Sequence, residues 1–232
     1  NVKLVSQLNS SNNDYMVSLA VCFTFPVQPK ASISTRPQQQ RHGTFYEFRT
    51  YYIQPHLNAV FLRLTNEEIH LWTAHSELIG YWSVEYGGLN QVPFRYFTCT
   101  QYISKAMHML SSQDNEVTYL VPWSKIQKPP KDGGVLELAT FQMKPGGPVV
   151  WGRAFQAAVG THTGSGYAHA VGVFHSEFGQ LNQVHVLWWY ECADQRAAIR
   201  HKSHDNVRVV AAAYLVSQKN EQMFPCAFSP IK

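Results

Sequence analysis

The chain has 232 residues, 45% of them hydrophobic and 13% aromatic, with a formal net charge of +4 at pH 7. That length suits one or two domains, and that apolar content supplies a substantial core. The balance is only mildly basic: Lys and Arg form no block longer than two residues and no stripe interleaved with aromatics, which argues against nucleic acid as a partner. No stretch reaches the ~18–20 apolar residues of a transmembrane helix. Cys22, Cys99, Cys192 and Cys226 are too far apart for a zinc-ribbon or redox spacing and read as free thiols in a reducing compartment.

Residues 1–43 carry a single acid, Asp14, against Lys3, Lys30, Arg36 and Arg41, and are rich in Ser, Asn and Gln. This composition predicts a disordered or targeting-like segment with a faint mitochondrial presequence character. Its longest apolar run, 16–25, resembles a signal-peptide core but lacks a basic flank. A first unit is expected over 44–124. It comprises an aromatic-rich strand over 45–53, a helix over 57–72 with Leu57, Val60, Phe61, Leu64 and Leu71 at helical spacing, and a strand over 78–86. A turn at 87–90, a returning strand over 94–97, a short helix over 102–110 and a strand over 117–121 follow. Lys128-Pro129-Pro130-Lys131-Asp132-Gly133-Gly134 marks a linker over 125–134. The second unit, 135–232, reads as a strand over 135–143, a helix over 148–159, and strands over 168–178 and 183–190 joined by a turn at 179–182. It ends with helices over 193–201 and 207–218 and a strand over 223–228.

The two units are copies. Thirteen residues from Gly80 to Val92 align with thirteen from Gly172 to Val184, and seven are identical: Gly, Glu, Gly, Leu, Asn, Gln and Val. Upstream, 45–55 mirrors 135–145, with Glu47 matching Glu137. Each copy reads β-α-β-β-α-β, the ferredoxin-like unit, which covers one face of its sheet with helices and leaves the other apolar. The fold expected is therefore α+β, with two tandem ferredoxin-like repeats packed sheet to sheet.

Chemistry is sparse. There is no phosphate loop, dinucleotide fingerprint or nucleophile elbow, so no cofactor is expected and no catalytic residue is assigned. Glu85 and Glu177 recur near sheet ends, which makes them hairpin residues first and general-base candidates second. His175 and His185, with His201 and His204 at helical spacing, make a weak metal grouping, without a carboxylate at ligand spacing. Trp188 and Trp189 on one strand face opposite sides of the sheet; with Tyr46, Phe48, Trp82, Phe141 and Phe174 they either pack the core or line a cavity between the sheets.

A further set of segments stands out: Phe45-Tyr46-Glu47-Phe48-Arg49-Thr50-Tyr51-Tyr52, 75–85 and 117–123, Phe141-Gln142-Met143-Lys144-Pro145, Val184-His185-Val186-Leu187-Trp188-Trp189 and 196–204. Through them the chain from residue 44 onward resembles the NIPSNAP family, in the subgroup that diverges from its neuronal members. After Val92 the family pattern has a strand rich in Trp and His and then a long charged helix; this chain falls well short of it there. The resemblance implies a dimeric α+β barrel formed by the two copies. It also implies a mitochondrial or vesicle-associated location, with a cytosolic one as the alternative, and a non-enzymatic adaptor role through protein partners in vesicle transport or mitophagy signalling. Homo-oligomers and peripheral membrane association are compatible with it. The alternative expectation is a small-molecule-binding or monooxygenase-like barrel with an apolar cavity between the sheets.

Overall fold

The computed structural model describes residues 17–26, 44–74, 76–86, 100–164, 168–202 and 210–232. The first copy contains β2 (Thr44–Ile53), α1 (Asn58–Thr73), β3 (Glu77–Tyr86), α2 (Thr100–Ala106) and β4 (Leu110–Leu120). The second contains β5 (Val135–Met143), α3 (Pro148–Gly164), β6 (His169–Phe178), β7 (Gln183–Tyr190), α4 (Ala193–Lys202) and β8 (Leu215–Pro225). Ahead of both lies β1 (Val17–Pro26). The strands close a barrel in the order β1-β2-β4-β6-β7-β5-β8-β3, each neighbour antiparallel.

Within the second copy the order is β8-β5-β7-β6, as a ferredoxin-like unit requires. The first copy reads β4-β2-β1-β3, so β1 fills the slot that β7 fills in the second. The match extends to register: Ala20, Cys22 and Thr24 pair with Thr50, Phe48 and Tyr46, as His185, Leu187 and Trp189 pair with Thr140, Leu138 and Leu136. The expectation that 1–43 lies outside the fold is therefore corrected for 17–26. The apolar run there forms a strand because β2 and β3 each offer it a free edge. The strand expected over 94–97 lies outside the described residues.

The two four-stranded sheets meet edge to edge at two seams, β4·β6 and β3·β8. Both sets run in the same order around the barrel, so the copies are related by a half-turn about its axis. Equivalent residues therefore share one end of the barrel.

The sheet has two apolar faces, set by the two-residue alternation of each strand. Inside the barrel, Tyr46, Phe48, Trp82, Val84, Leu136, Leu138, Phe174, Leu187, Trp189 and Met223 form one cluster. Outside, Tyr51, Ile53, Phe61, Tyr81 and Tyr102 pack in the first copy, and Met143, Trp151, Phe155, Val186 and Trp188 in the second. One end of the barrel is plugged by Ile126 and Ile231, which pack into the interior cluster. The segment expected as a linker thus covers that end, and Gly133 accepts a hydrogen bond from Trp189 Nε1 at 2.7 Å.

Two boundaries differ from expectation. Residues 215–218, expected to be helical, begin β8, because a ladder with β5 running from Leu136–Met223 to Met143–Leu215 outweighs local propensity. Likewise β4 starts at Leu110, well before 117, drawn out by pairing with β2.

Candidate functional site

The repeated residues first explain the barrel. An ideal Cβ on Gly80 would lie 1.9 Å from Cζ2 of Trp82, and one on Gly172 2.8 Å from Cζ of Phe174. In each copy an interior aromatic folds back over the glycine two residues before it, so a side chain is excluded there. The recurring glutamates sit in the seams. Val84 pairs with Met223 and Tyr86 with Gln222, while Ser176 pairs with Thr118 and Phe178 with Val117. Glu85 and Glu177 are the skipped residues, one β-bulge in each seam. Glu177 is exposed.

The remaining candidates divide between the two faces. Trp82 and Trp189 are interior, 1% and 5% exposed. Trp188 is on the outer face, with its ring 5.8 Å from that of His162 on α3. His175 pairs with Tyr119 on the outer face, its ring 6.2 Å from the tyrosine's. His185 points the opposite way, into the barrel, so these two histidines cannot share an ion. The His201 side chain and His204 lie outside the described residues. Of the aromatics considered for a cavity, Tyr46, Phe48, Trp82, Phe174 and Trp189 pack inside, with Tyr46–Phe174 and Phe48–Phe174 centroids 5.1 and 4.9 Å apart. Phe141 instead packs on Phe155 of α3 at 5.2 Å. Two described cavities lie on the outer side of the sheet: one of about 690 Å³ beside Trp123, Lys125, Gln156 and His169, and one of about 270 Å³ beside Phe155, His162, Trp188 and Leu215.

Chemistry concentrates at the end of the barrel opposite the plug. His185 Nε2 is 2.7 Å from Glu116 Oε2 of β4, and its Nδ1 is 2.9 Å from Thr140 Oγ1 of β5. Its ring stacks on Phe48 from across the barrel, centroids 5.1 Å apart. The imidazole is thus fixed on three sides. With Glu116 ionised, Nε2 carries the proton and Nδ1 accepts from the Thr140 hydroxyl. Thr140 pairs on its other side with Lys219 of β8, whose Nζ is 2.9 Å from Glu221. The His185, Thr140 and Lys219 side chains therefore form one interior row. Tyr52 lies at the same mouth; burial pushes its phenol well above the ordinary value, with Asp114 and Glu221 adding to the shift.

Two further carboxylates are paired on the outer face. Glu47, fully buried, bonds Arg49 at 2.8 Å and accepts from Asn115. Glu137 accepts from Arg196 Nε at 2.7 Å and from Asn220. Glu47 and Glu137 are repeat equivalents, and Asn115 and Asn220 occupy equivalent registers, opposite Arg49 and Ala139. Burial works against the Arg49 charge, but Tyr51 and Glu47 outweigh it, and its pKa ends raised.

Sequence reasoning placed His185 among its candidates and missed Glu116, Thr140 and Lys219. Only strand register brings these together. The doubled glutamate at 47 and 137 was the visible signal for the outer pairs.

The sequence pattern of the NIPSNAP family matches residues 46–94 and 136–230. The human protein NipSnap homolog 3B is 47% identical over 90% of this chain and 94% of its own length. Human NipSnap homolog 3A is 48% identical over the same shares, and a Dictyostelium discoideum NipSnap homolog is 30% identical over 78% of this chain and 86% of its own. Among solved structures, a NIPSNAP domain protein from Burkholderia xenovorans covers 41% of this chain and 98% of itself at 26% identity, with a TM-score of 0.37. A putative monooxygenase from Fusobacterium nucleatum covers 94% of this chain and 99% of itself at 9% identity, with a TM-score of 0.47. With that extent of match and those identities, the chain belongs to the NIPSNAP family.

Proposed function

We propose that this chain is an interaction protein, an adaptor that works at mitochondria or vesicles through protein partners. The observation that supports this most is a doubled apolar rim. Tyr86 and Phe178 are equivalent residues of the two copies, 70% and 67% exposed, at one end of the barrel. Leu181 and Val216, 59% and 63% exposed, sit at the same end. Exposed large apolar side chains grouped on one surface mark contact sites. The packed aromatic interior also favours this reading over a substrate buried between the sheets. No described helix is long and apolar enough to cross a membrane.

The test is photo-crosslinking in cells from a probe placed at Phe178, compared with the Tyr86→Ser/Phe178→Ser double variant. The adaptor reading expects discrete crosslinked partners that the double variant loses while its melting temperature holds. An unchanged partner set, or none, would overturn it.

A second reading is favoured by one observation, the polar row at the mouth: small-molecule binding at Glu116, His185, Thr140 and Lys219, reached from the open end and independent of an apolar cavity. Protein-observed NMR with small esters and ketones tests it, with Thr140 and Phe48 as the reporting side chains: shifts there support it, and unchanged spectra would overturn it.

A further inference from the structure

We propose that Thr140 is the nucleophile of an acyl-transfer site, with His185 as its general base and Glu116 as the group that positions the histidine. This rests on the small-molecule reading of the mouth.

The arrangement has the polarity such a reaction needs. A carboxylate on Nε2 fixes the tautomer, and the lone pair of Nδ1 is left facing a hydroxyl at 2.9 Å. The Phe48 stack holds the ring plane. His185 is 5% exposed, while Thr140 is only half-buried and open to the mouth. Lys219, in register with Thr140, supplies a cation for the developing oxyanion; its side chain is 42% exposed and so remains reachable. Ser176 adds an independent sign of a ligand. It lies on β6, between the strands of Glu116 and His185, and is 7% exposed. Its buried hydroxyl has no hydrogen-bond partner among the described residues, and neither has Glu116 Oε1. Buried polar atoms without partners are uncommon, and a carbonyl-bearing ligand with a hydroxyl or bound water would satisfy both.

The substrate class is an ester with a good leaving group. Thr140 Oγ1 attacks the carbonyl carbon as its proton passes to His185 Nδ1. The tetrahedral adduct then collapses, the bond to the leaving oxygen breaks, and that oxygen takes the proton from Nδ1. Water reverses the sequence: it attacks the acyl-threonine, gives its proton to Nδ1, and the proton returns to Thr140 Oγ1.

The repeat provides an internal control. Half a turn around the barrel, Thr50 takes the place of Thr140 and Glu221 that of Glu116, since Glu221 pairs with Leu138 as Glu116 pairs with Phe48. The register position of His185 is there occupied by Ala20 of β1. Thr140 thus stands beside a histidine, whereas Thr50 has Ala20 in that register position and Asp114 opposite it on β4.

The experiment incubates the full chain with 4-methylumbelliferyl acetate, follows the fluorescent product and maps acetyl groups by peptide mass spectrometry. The proposal expects a burst of product, an acetyl on Thr140 and not on Thr50, and loss of both burst and label in Thr140→Val, with rescue by Thr140→Ser. His185→Gln slows labelling about 100-fold or more; because that change touches a buried group, the nearly isosteric Thr140→Val is the variant that decides. Label on Thr50 as often as on Thr140, label confined to lysines and cysteines, or a burst that survives Thr140→Val would overturn it. An unreactive methyl ketone of the same shape separates the two levels. If it perturbs Thr140 in NMR spectra while no acetyl forms, acyl transfer fails and the binding reading stands; if it perturbs nothing, both fail.

Discussion

The two copies build the same half-barrel from differently ordered chain. In the second, the third strand follows the hairpin directly. In the first, that slot is filled by β1, from ahead of the repeat, while the residues after Val92 depart from the family pattern. What stays constant is the glycine beneath an interior aromatic, the bulged glutamate of each seam, the apolar residue exposed just after it, and, within each copy, the outer Glu–Asn pair. What changes is the chemistry on the third strand. His185, Leu187 and Trp189 line the second copy's share of the interior, whereas the matching register positions of β1 hold Ala20, Cys22 and Thr24. A barrel with twofold backbone symmetry thereby carries a histidine in one half that has no counterpart at the matching register position of the other.

The comparison breaks most severely if β1 is removed. A chain starting at Thr44 leaves β2 and β3 with open edges and opens the barrel, so it should aggregate or melt without a cooperative transition. A normal melting curve for that truncation would show that β1 is dispensable.

The outer carboxylates differ in strength as well as origin. Glu47 and Arg49 side chains are 0% and 7% exposed, Glu137 and Arg196 4% and 25%. Removing one partner of a well-buried pair costs about 3–5 kcal/mol. Glu47→Ala should fall in that range, and Glu137→Ala below it, because Arg196 can turn to water. Urea denaturation measures both, and equal losses would contradict the ranking.

The glycines give a smaller contrast. Gly80→Ala drives a methyl into Trp82 more deeply than Gly172→Ala drives one into Phe174, with contacts of 1.9 and 2.8 Å. Overpacking of this kind costs about 1–3 kcal/mol, and the Gly80 variant should lose more. A reversed order in thermal melts would mean that Trp82 moves away more easily than its burial suggests.

The smallest effect concerns pH. Burial pushes the Cys226 thiol up to about 12 from 9.0, and burial raises Tyr51 and Tyr81 well above 10.0. A group raised in the folded state stays protonated there while the unfolded chain ionises. Its contribution is therefore complete below pH 9 and declines as pH rises toward 12. Stability should fall over that window, and Cys226→Ala should make the early part of the decline shallower. A flat profile would place the thiol in water.

Much of this barrel was legible in the sequence because the repeat survives. The Gly172 segment marked the β6–β7 hairpin, whereas the return strand expected after the Gly80 segment lies outside the described residues and β3 pairs instead with β1 and β8. Strand alternation put Trp188 and Trp189 on opposite faces, but not Phe141 on the outer one. Position 17–26 was misassigned because an apolar run with no repeat partner carries no information about which edges will accept it. The stretch 215–218 was misassigned because Leu215, Val216 and Gln218 fit a helix equally well until β5 is beside them. The mouth was hidden for the same reason. Glu116, Thr140, His185 and Lys219 have no spacing in common; only the order β4-β6-β7-β5-β8 brings them together.

Hydrogen exchange of the full chain, followed by mass spectrometry, tests the central claim most directly. If β1 is the first copy's third strand, the amides of 17–26 should be protected to a degree comparable with those of 183–190, since both sit between two hydrogen-bonded neighbours. Exchange of 17–26 at the rate of a free N-terminal tail, alongside a protected 183–190, would contradict it.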